Sequence, residues 1–451
     1  MNNPDILLVI ADDQPKGTLD AMPAVRSLIR DGGIQFENAI SQTSLCSPAR
    51  SSILTGDYSH TTGVWTNYAT DQGSWTAFSR NGNEESTLGT RLRAAGYHTA
   101  LVGKYLNHFS SSGPDYIPPG WSDFITMQAH RNNDLGGAGS YYNYDLRGTI
   151  ERESHGDMPE DYSTDVLRDK ARGVIADAPA KKPLFLMFTP WGPHGNYEPA
   201  PRHQGTWNGG AELPGSFNEE DMSDKPDWMQ NAELASEAGE SRALIRIHEA
   251  LMSIDEAVAA LHASLVEAGR ADNLLLIYMS DNGKMLGSHR MVKKDLPHRW
   301  AGEVPLLMRW DGVLDEENTE VRRNRITPNV DVTATIAEAA GIKNWKMDGK
   351  SVISKDRKGC LVEQMRNPEQ RHPAYCGWRT DRHLFVEYTA EEGRGRELYD
   401  YKHDPDELDN LAFDLDSQDL MHKLRDQAQA ACDPVPPGFS WRVGVMRDGS
   451  D

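Results

Sequence analysis

Three stretches of this chain, residues 6–11, 184–189 and 274–280, are almost wholly apolar, and long segments of helical periodicity lie between them. Successive side chains of a strand point to opposite faces, so a strand can be apolar throughout only where both faces of its sheet are covered. The pattern predicts a mainly parallel sheet flanked by helices, with further strands at 99–102 and 305–309. Helices are predicted at 24–31, ended by Gly32-Gly33, at 87–95, closed by Gly96, at 244–268, the longest amphipathic stretch, and at 330–340. Beyond about residue 345 the character changes. Residues 382–388 and 397–401 read as strands of a small antiparallel sheet, and 404–411 as the start of a capped helix. The chain thus divides into a large α/β domain over 1–345 and a smaller C-terminal α+β subdomain over 346–451. Residues 208–240 are charged, Gly-rich and aperiodic, and read as a surface insertion.

Composition narrows the partners. A length of 451 residues with 38% hydrophobic side chains and eleven tryptophans supports a substantial core. With 68 acidic against 47 basic side chains the net charge is −21, which argues against a nucleic-acid partner and requires any anionic substrate to meet a local positive pocket. Cys46, Cys360, Cys376 and Cys432 are too sparse for a disulfide scaffold, and no C-x-x-C pair offers a zinc site. The first apolar run is too short to span a membrane and lacks a basic flank and cleavage site. No membrane association is expected, and the location expected for the chain as given is cytoplasmic, or secreted or periplasmic if a signal was removed.

Residues 46–56 read Cys-Ser-Pro-Ala-Arg-Ser-Ser-Ile-Leu-Thr-Gly. Pro48 biases Ser47 away from the α region, and the run that follows can begin a helix, which would place residue 46 at a positively polarised helix N-terminus with Arg50 one turn on. That is an oxyanion site. A thiolate phosphatase loop needs five residues between cysteine and arginine, whereas three stand here. Asp12-Asp13 follow the first strand and Asp281-Asn282 follow another, so the carboxyl ends of strands bring three carboxylates and an amide toward one crevice, a hard oxygen set suited to Ca²⁺ and less well to Mg²⁺. An Asp pair after a strand is by itself more often a turn or a cap.

Cys46-x-Pro48-x-Arg50 with Leu54-Thr55-Gly56 resembles, at each fixed position, the signature of the type I sulfatases. The resemblance implies an alkaline-phosphatase-like fold. It implies that Cys46 is oxidised to 3-oxoalanine (Cα-formylglycine) by a formylglycine-generating enzyme, and that its hydrate is the nucleophile. It also implies one calcium ion held by Asp12, Asp13, Asp281, Asn282 and the oxygen at position 46. By the same likeness Arg50, Lys104 in Val102-Gly103-Lys104 and Lys294 hold the sulfate, with Lys293 the competing assignment for the last. His194, after Pro193, would protonate the leaving group. Many sulfatases carry a histidine two or three residues after the first lysine, where this chain has Leu106 and Asn107. Asparagine can orient a diol but cannot take its proton, so the base for sulfate release is left open, with His60 and His108 as candidates.

The Lys104-Tyr105-Leu106-Asn107 form, with Met22-Pro23-Ala24-Val25, Gly63-Val64-Trp65, Tyr141-Tyr142-Asn143-Tyr144, Tyr162-Ser163-Thr164-Asp165 and Glu303-Val304-Pro305-Leu306-Leu307, is similar to the N-acetylglucosamine-6-sulfatase branch. The implied substrate is a sulfate monoester of a sugar, of the 6-O-sulfated hexosamine kind. Trp65, Asn67, Tyr68, Trp191, His298, Arg299 and Trp300 flank the motifs and are the candidate substrate contacts, since aromatic rings beside a polar cleft suit stacking on sugars. Two other readings stand beside this one. They are a phosphonate monoester or phosphodiester hydrolase with the same nucleophile, and a calcium-dependent carbohydrate-binding protein on a degenerate scaffold.

Overall fold

The computed structural model describes residues 3–113, 115–130, 137–315, 324–367, 372–389 and 395–442. Its strands, in chain order, are β1 (Asp5–Ala11), β2 (Ile34–Gln35), β3 (Asn38–Ile40), β4 (His98–Gly103), β5 (Asp123–Ala129), β6 (Tyr144–Gly148), β7 (Glu153–His155), β8 (Leu184–Thr189), β9 (Leu274–Ser280), β10 (Leu306–Arg309), β11 (Ile326–Pro328), β12 (Cys360–Gln364), β13 (Tyr375–Arg379), β14 (His383–Tyr388) and β15 (Arg396–Asp400). Nine of them form one sheet in the order β2-β10-β9-β1-β8-β4-β5-β6-β7. The five central strands, β9, β1, β8, β4 and β5, run parallel, and the edges are antiparallel. β11 pairs with β3, and β12 to β15 form a separate four-stranded antiparallel sheet.

Both faces of the large sheet are covered, as its apolar strands demand. Leu7, Val9 and Ala11 of β1 join one core with Leu251, Ile254, Val258 and Leu261 of the Glu237–Glu267 helix. Ile6, Leu8 and Ile10 join the other with Ile53 and Leu54 of the Cys46–Thr55 helix and with Val332 and Ile336 of the Val330–Ala339 helix. Each such aliphatic side chain contributes roughly 1.5–3 kcal/mol on leaving water. The Cys46–Thr55 helix is therefore clamped against the sheet along its length.

Several elements depart from the sequence reading, each for a local reason. The helix predicted to begin at residue 244 starts at Glu237, because Ser236 caps the Gly239 N–H at 3.2 Å and the charged first turns carry no apolar period. Residues 227–230, inside the predicted insertion, form a helical turn. The predicted helix at 24–31 is one α turn over Pro23–Val25 followed by a π turn over Arg26–Arg30, with the Asp255 carboxylate accepting from the Ala24 and Val25 N–H groups. Asp404 caps the Leu408 and Asp409 N–H groups, but Glu407 sits at φ 61°, so 404–411 closes as a turn. The helix follows at Gln418–Ala431 and covers Phe385 and Leu398 of the small sheet. Cys376 of β13 and Cys432, just past that helix, form a disulfide with Cα atoms 6.4 Å apart. No helix among the described residues is long and apolar enough to cross a membrane.

Candidate active site

Parallel strands end on one edge of a sheet, and residues just beyond those ends share a crevice. Asp12 and Asp13 follow β1, Lys104 follows β4, Trp191 and His194 follow β8, and Asp281 and Asn282 follow β9. The strand ladder continues into these segments. The Lys104 N–H donates to the Thr189 carbonyl at 2.8 Å, and that of Asp281 to the Ala11 carbonyl at 3.1 Å. Gly103 makes the first of these possible. Its φ is +123°, and a Cβ there would meet the Thr189 carbonyl oxygen at 2.0 Å.

Cys46 opens a ten-residue helix whose cap, Leu45, is extended and whose C-terminus is closed by Gly56 at φ 82°. The Asn67 carboxamide oxygen accepts the Ser47 N–H at 2.8 Å, and the Ser47 hydroxyl donates to Asn107 Oδ1 at 2.8 Å. These two asparagines hold the first turn in place. Cys46 Sγ, the position the oxygens of a formylglycine hydrate would take, lies 3.5 Å from Asp12 Oδ1, 3.9 Å from Asp13 Oδ1 and 2.8 Å from Lys294 Nζ. Burial pushes the Cys46 thiol up to about 12, against the pull of Lys104 and Lys294. The unmodified side chain is therefore a protonated thiol at neutral pH and a poor nucleophile.

Three cations and three carboxylates interlock around it. Arg50 Nε donates to Asp281 Oδ2 at 2.7 Å and Nη1 to the Lys104 carbonyl at 3.2 Å, with Nη2 3.4 Å from Asp12 Oδ2. Lys104 Nζ donates to Asp12 Oδ2 at 2.5 Å, and Lys294 Nζ donates to Asp13 Oδ1. Lys293 is exposed, and Lys294 is the one of the two that enters the cluster. Burial raises the Asp12 carboxyl, yet Lys104 and then Arg50 outweigh it and hold that carboxyl well below the usual range. Asp281 moves the other way: burial, reinforced by Asp12, raises it despite Arg50. With all six ionised the cluster is neutral. A bound dication would leave it with two positive charges, suited to an anionic ester.

The four oxygen donors named from the sequence are contiguous. The Asp13 N–H donates to Asp281 Oδ1 at 3.1 Å, and Asn282 Nδ2 donates to Asp13 Oδ1 at 2.8 Å. Ligand atoms of Asp12, Asp13, Cys46 and His194 lie within 4.8 Å of one another. Among the described residues the Asn282 carboxamide oxygen is buried without a hydrogen bond, an orphaned acceptor that a hard cation would satisfy. Arg50 Nη2, Asn107 Nδ2 and His194 Nδ1 are likewise buried without hydrogen-bond partners among those residues. His194 packs against Trp191 with centroids 4.2 Å apart and the rings tilted by 42°, its Nε2 3.8 Å from Asp13 Oδ2, and burial lowers its pKa to about 4. The Trp191 ring also lies 4.9 Å from Lys104 Nζ.

The candidate substrate contacts scatter. Asn67 is buried and committed to Ser47, and Trp191 is the support for His194 and Lys104. Trp65 is only 4% exposed, and His298 is fully buried with Nε2 3.1 Å from Glu397 Oε1, so these two are interior residues. Arg299 spends its guanidinium on Glu303 and the Pro405 carbonyl. Tyr68 is half-buried. Of the candidate bases, His60 is bound to Glu363 at 3.0 Å, and His108 sits at φ 57° before a 3₁₀ turn. Sequence reasoning gave no role to Ser47, within the motif, or to Ser44, before it, because their partners lie far along the chain: Asn67 and Asn107 for Ser47, and the Leu296 carbonyl for Ser44.

The sequence pattern of the family described as Sulfatase matches residues 4–342, and that described as "N-sulphoglucosamine sulphohydrolase, C-terminal" matches residues 287–432. The chain is 31% identical over 364 residues to an extracellular sulfatase SULF-1 homologue of Drosophila melanogaster, covering 78% of this chain and 31% of that protein. It is 27% identical over 413 residues to the N-acetylglucosamine-6-sulfatase of Homo sapiens, covering 88% and 69%. The first curated relatives are longer, and the chain spans 51% and 31% of their lengths. Among solved structures, one described as in complex with its substrate D-glucosamine-2-N,6-O-disulfate superposes with a TM-score of 0.77 at 21% identity, covering 96% of this chain and 99% of that one. That likeness is one of fold.

Proposed function

Since the chain belongs to the sulfatase family, we propose that it hydrolyses the sulfate monoester of a sugar, of the 6-O-sulfated hexosamine kind, at the crevice around position 46. The observation that carries this reading is the seat of Cys46: the first residue of a buried helix, 2.8 Å from Lys294 Nζ and 3.5 Å from Asp12, in a cluster of three cations and three carboxylates. The hydrated aldehyde formed from Cys46 supplies an oxygen nucleophile whose second hydroxyl lets sulfate leave again, so that ester and water give alcohol and sulfate. Asp12, Asp13, Asp281 and Asn282 would hold a calcium ion, which would supply fixed positive charge at the site.

The chain's own residues do the rest. Lys104, Lys294 and Arg50, through an Nη2 that faces Asp12 without a hydrogen bond, bind and orient the sulfate, and their burial strengthens each contact. Asn107, whose Nδ2 has no hydrogen bond among the described residues, orients the nucleophile through the turn it shares with Ser47. His194 protonates the departing alcohol. In the free protein burial holds its ring neutral, and the negative charge of a bound ester works in the opposite direction.

Two measurements test this. Mass analysis of the peptide around residue 46 should show conversion to the aldehyde, a loss of about eighteen mass units. Converted protein should release sulfate from nitrophenyl sulfate and from glucosamine 6-sulfate, and Cys46→Ser should not. Faster turnover of a nitrophenyl phosphonate than of the sulfate would move the assignment to phosphonate esters. Sugar and calcium binding without release of either group would refute hydrolysis.

A further inference from the structure

Lys294 reaches Cys46 and Asp13 from a loop, and the residue beside it is held unusually firmly. Asp295 is fully buried and adopts φ +78°, the left-handed region that a non-glycine residue enters only when its surroundings require it. Its backbone N–H donates to the Ser44 carbonyl at 2.9 Å, and the Ser44 hydroxyl donates to the Leu296 carbonyl at 2.7 Å. The segment carrying Lys294 is thus stitched to a residue two positions before Cys46. The Asp295 carboxylate points into the small sheet. Oδ1 accepts from Gln364 Nε2 at the end of β12, while Oδ2 accepts from Asn367 Nδ2 at 2.8 Å and lies 3.0 Å from His372 Nε2. The same strand grips the other side of the Cys46 turn, where the Thr43 hydroxyl donates to the Glu363 carbonyl at 2.9 Å.

We propose that Asp295 is a positioning residue through which the small C-terminal sheet sets the reach of Lys294 toward the sulfate. The inference rests on the sulfate-holding role proposed above for Lys294. A carboxylate suits this place because every group facing its two oxygens from Gln364 and Asn367 is a donor. An amide at 295 would set one N–H₂ against another, the anchor would shift, and the left-handed turn that aims Lys294 would relax.

The test is a double-mutant cycle with a polarity-swap control, read on nitrophenyl sulfate turnover and on calorimetric binding of inorganic sulfate. Asp295→Asn should lower kcat/KM about 100-fold, the scale of a small misplacement at a catalytic group, chiefly through KM, and should weaken sulfate binding. Combined with Lys294→Ala it should cost no more than Lys294→Ala alone, since a residue acting through the lysine has nothing left to act on. Asp295→Asn with Gln364→Glu exchanges amide and carboxylate across the contact and should restore turnover.

Additive losses would overturn the proposal, as would wild-type behaviour of Asp295→Asn or a folded swap variant that stays impaired. If neither the single nor the swap variant folds, Asp295 is a folding residue and the proposal falls. A wild-type protein that binds sulfate without turning over its ester would defeat the hydrolase reading alone, with the cycle then read on sulfate affinity. One that does neither leaves Lys294 no sulfate to hold, and both readings fail.

Discussion

Replacing Lys104 by methionine should have two effects of opposite sign. Lys104 and Asp12 are both fully buried, with Nζ 2.5 Å from Oδ2. Methionine fills similar volume, so packing changes little and the effect is electrostatic. The substitution removes the nearest cation from Asp12 and leaves it Arg50 Nη2, at 3.4 Å and without a hydrogen bond, the Cys46 thiol at 3.5 Å, and the more distant charge of Lys294. Breaking one partner out of a buried pair costs about 3–5 kcal/mol, and the retained arginine places this case at the lower end. The cluster of three cations and three carboxylates then carries one net negative charge, which favours a bound dication. If about 1.4 kcal/mol of the loss is regained on binding, calcium affinity rises about tenfold. Urea denaturation in chelator and in saturating calcium, with calorimetric calcium titration, reads both numbers. The expected result is a large destabilisation in chelator, a smaller one in calcium, tighter calcium binding and depressed turnover. Equal destabilisation in both buffers, or weaker calcium binding in the variant, would show that Asp12 is not a calcium ligand and that the oxygen set around Cys46 has been misread.

Three further outcomes are expected. His194→Gln should impair an alkyl sugar sulfate far more than nitrophenyl sulfate, whose phenolate needs no proton to depart; equal losses on both would remove His194 as proton donor. Gly103→Ala should destabilise the fold and cut turnover together, because its Cβ would drive Thr189 away at the residue before Lys104. His289 is buried between Glu219 and Glu407, and although burial lowers its pKa, a 2.6 Å hydrogen bond to Glu219 and the Glu407 carboxylate 3.5 Å away raise it from 6.5 to about 9. The stabilisation is therefore complete below pH 6.5 and is lost as pH climbs through 9, on the order of 3 kcal/mol. Urea midpoints measured across that window should fall for the wild type and stay flat for His289→Asn.

β1, β8 and β9 were legible because burial on both faces leaves a continuous apolar run, and β8 and β9 begin and end where that pattern does. The flank of the sheet beyond β4 was not. β5, β6 and β7 mix polar and apolar residues because one or both faces meet solvent or a polar neighbour, so no run marks them. β12 was hidden for a different reason. Its Glu363 and Gln364 are polar yet fully buried, and what keeps them inside is hydrogen bonding to His60, Asp295 and the segment around Thr43. A pattern reading scores such residues as surface, although here they tie the small sheet to the crevice.

The site divides along the same line. Charged residues directly after apolar strands could be named in advance, since parallel topology forces strand ends to converge whatever the tertiary detail. Tryptophans and a histidine near the motifs could not be assigned by proximity in sequence. Trp65 and His298 turned inward, because an aromatic ring beside a motif is as readily a wall as a surface, and only the partner decides which. His298 found Glu397, ninety-nine positions along the chain. The same limit explains why Asp295 escaped notice while its neighbour Lys294 did not: Lys294 was named by its likeness to a family segment, with Lys293 competing, whereas a buried carboxylate bonded to Gln364 and Asn367 has no signature in sequence. In this fold strand order brings Asp12, Asp13, Lys104 and Asp281 together, and the contact between the two sheets holds the loop that carries Lys294. Substitutions at that contact are therefore where sulfate affinity and stability should separate.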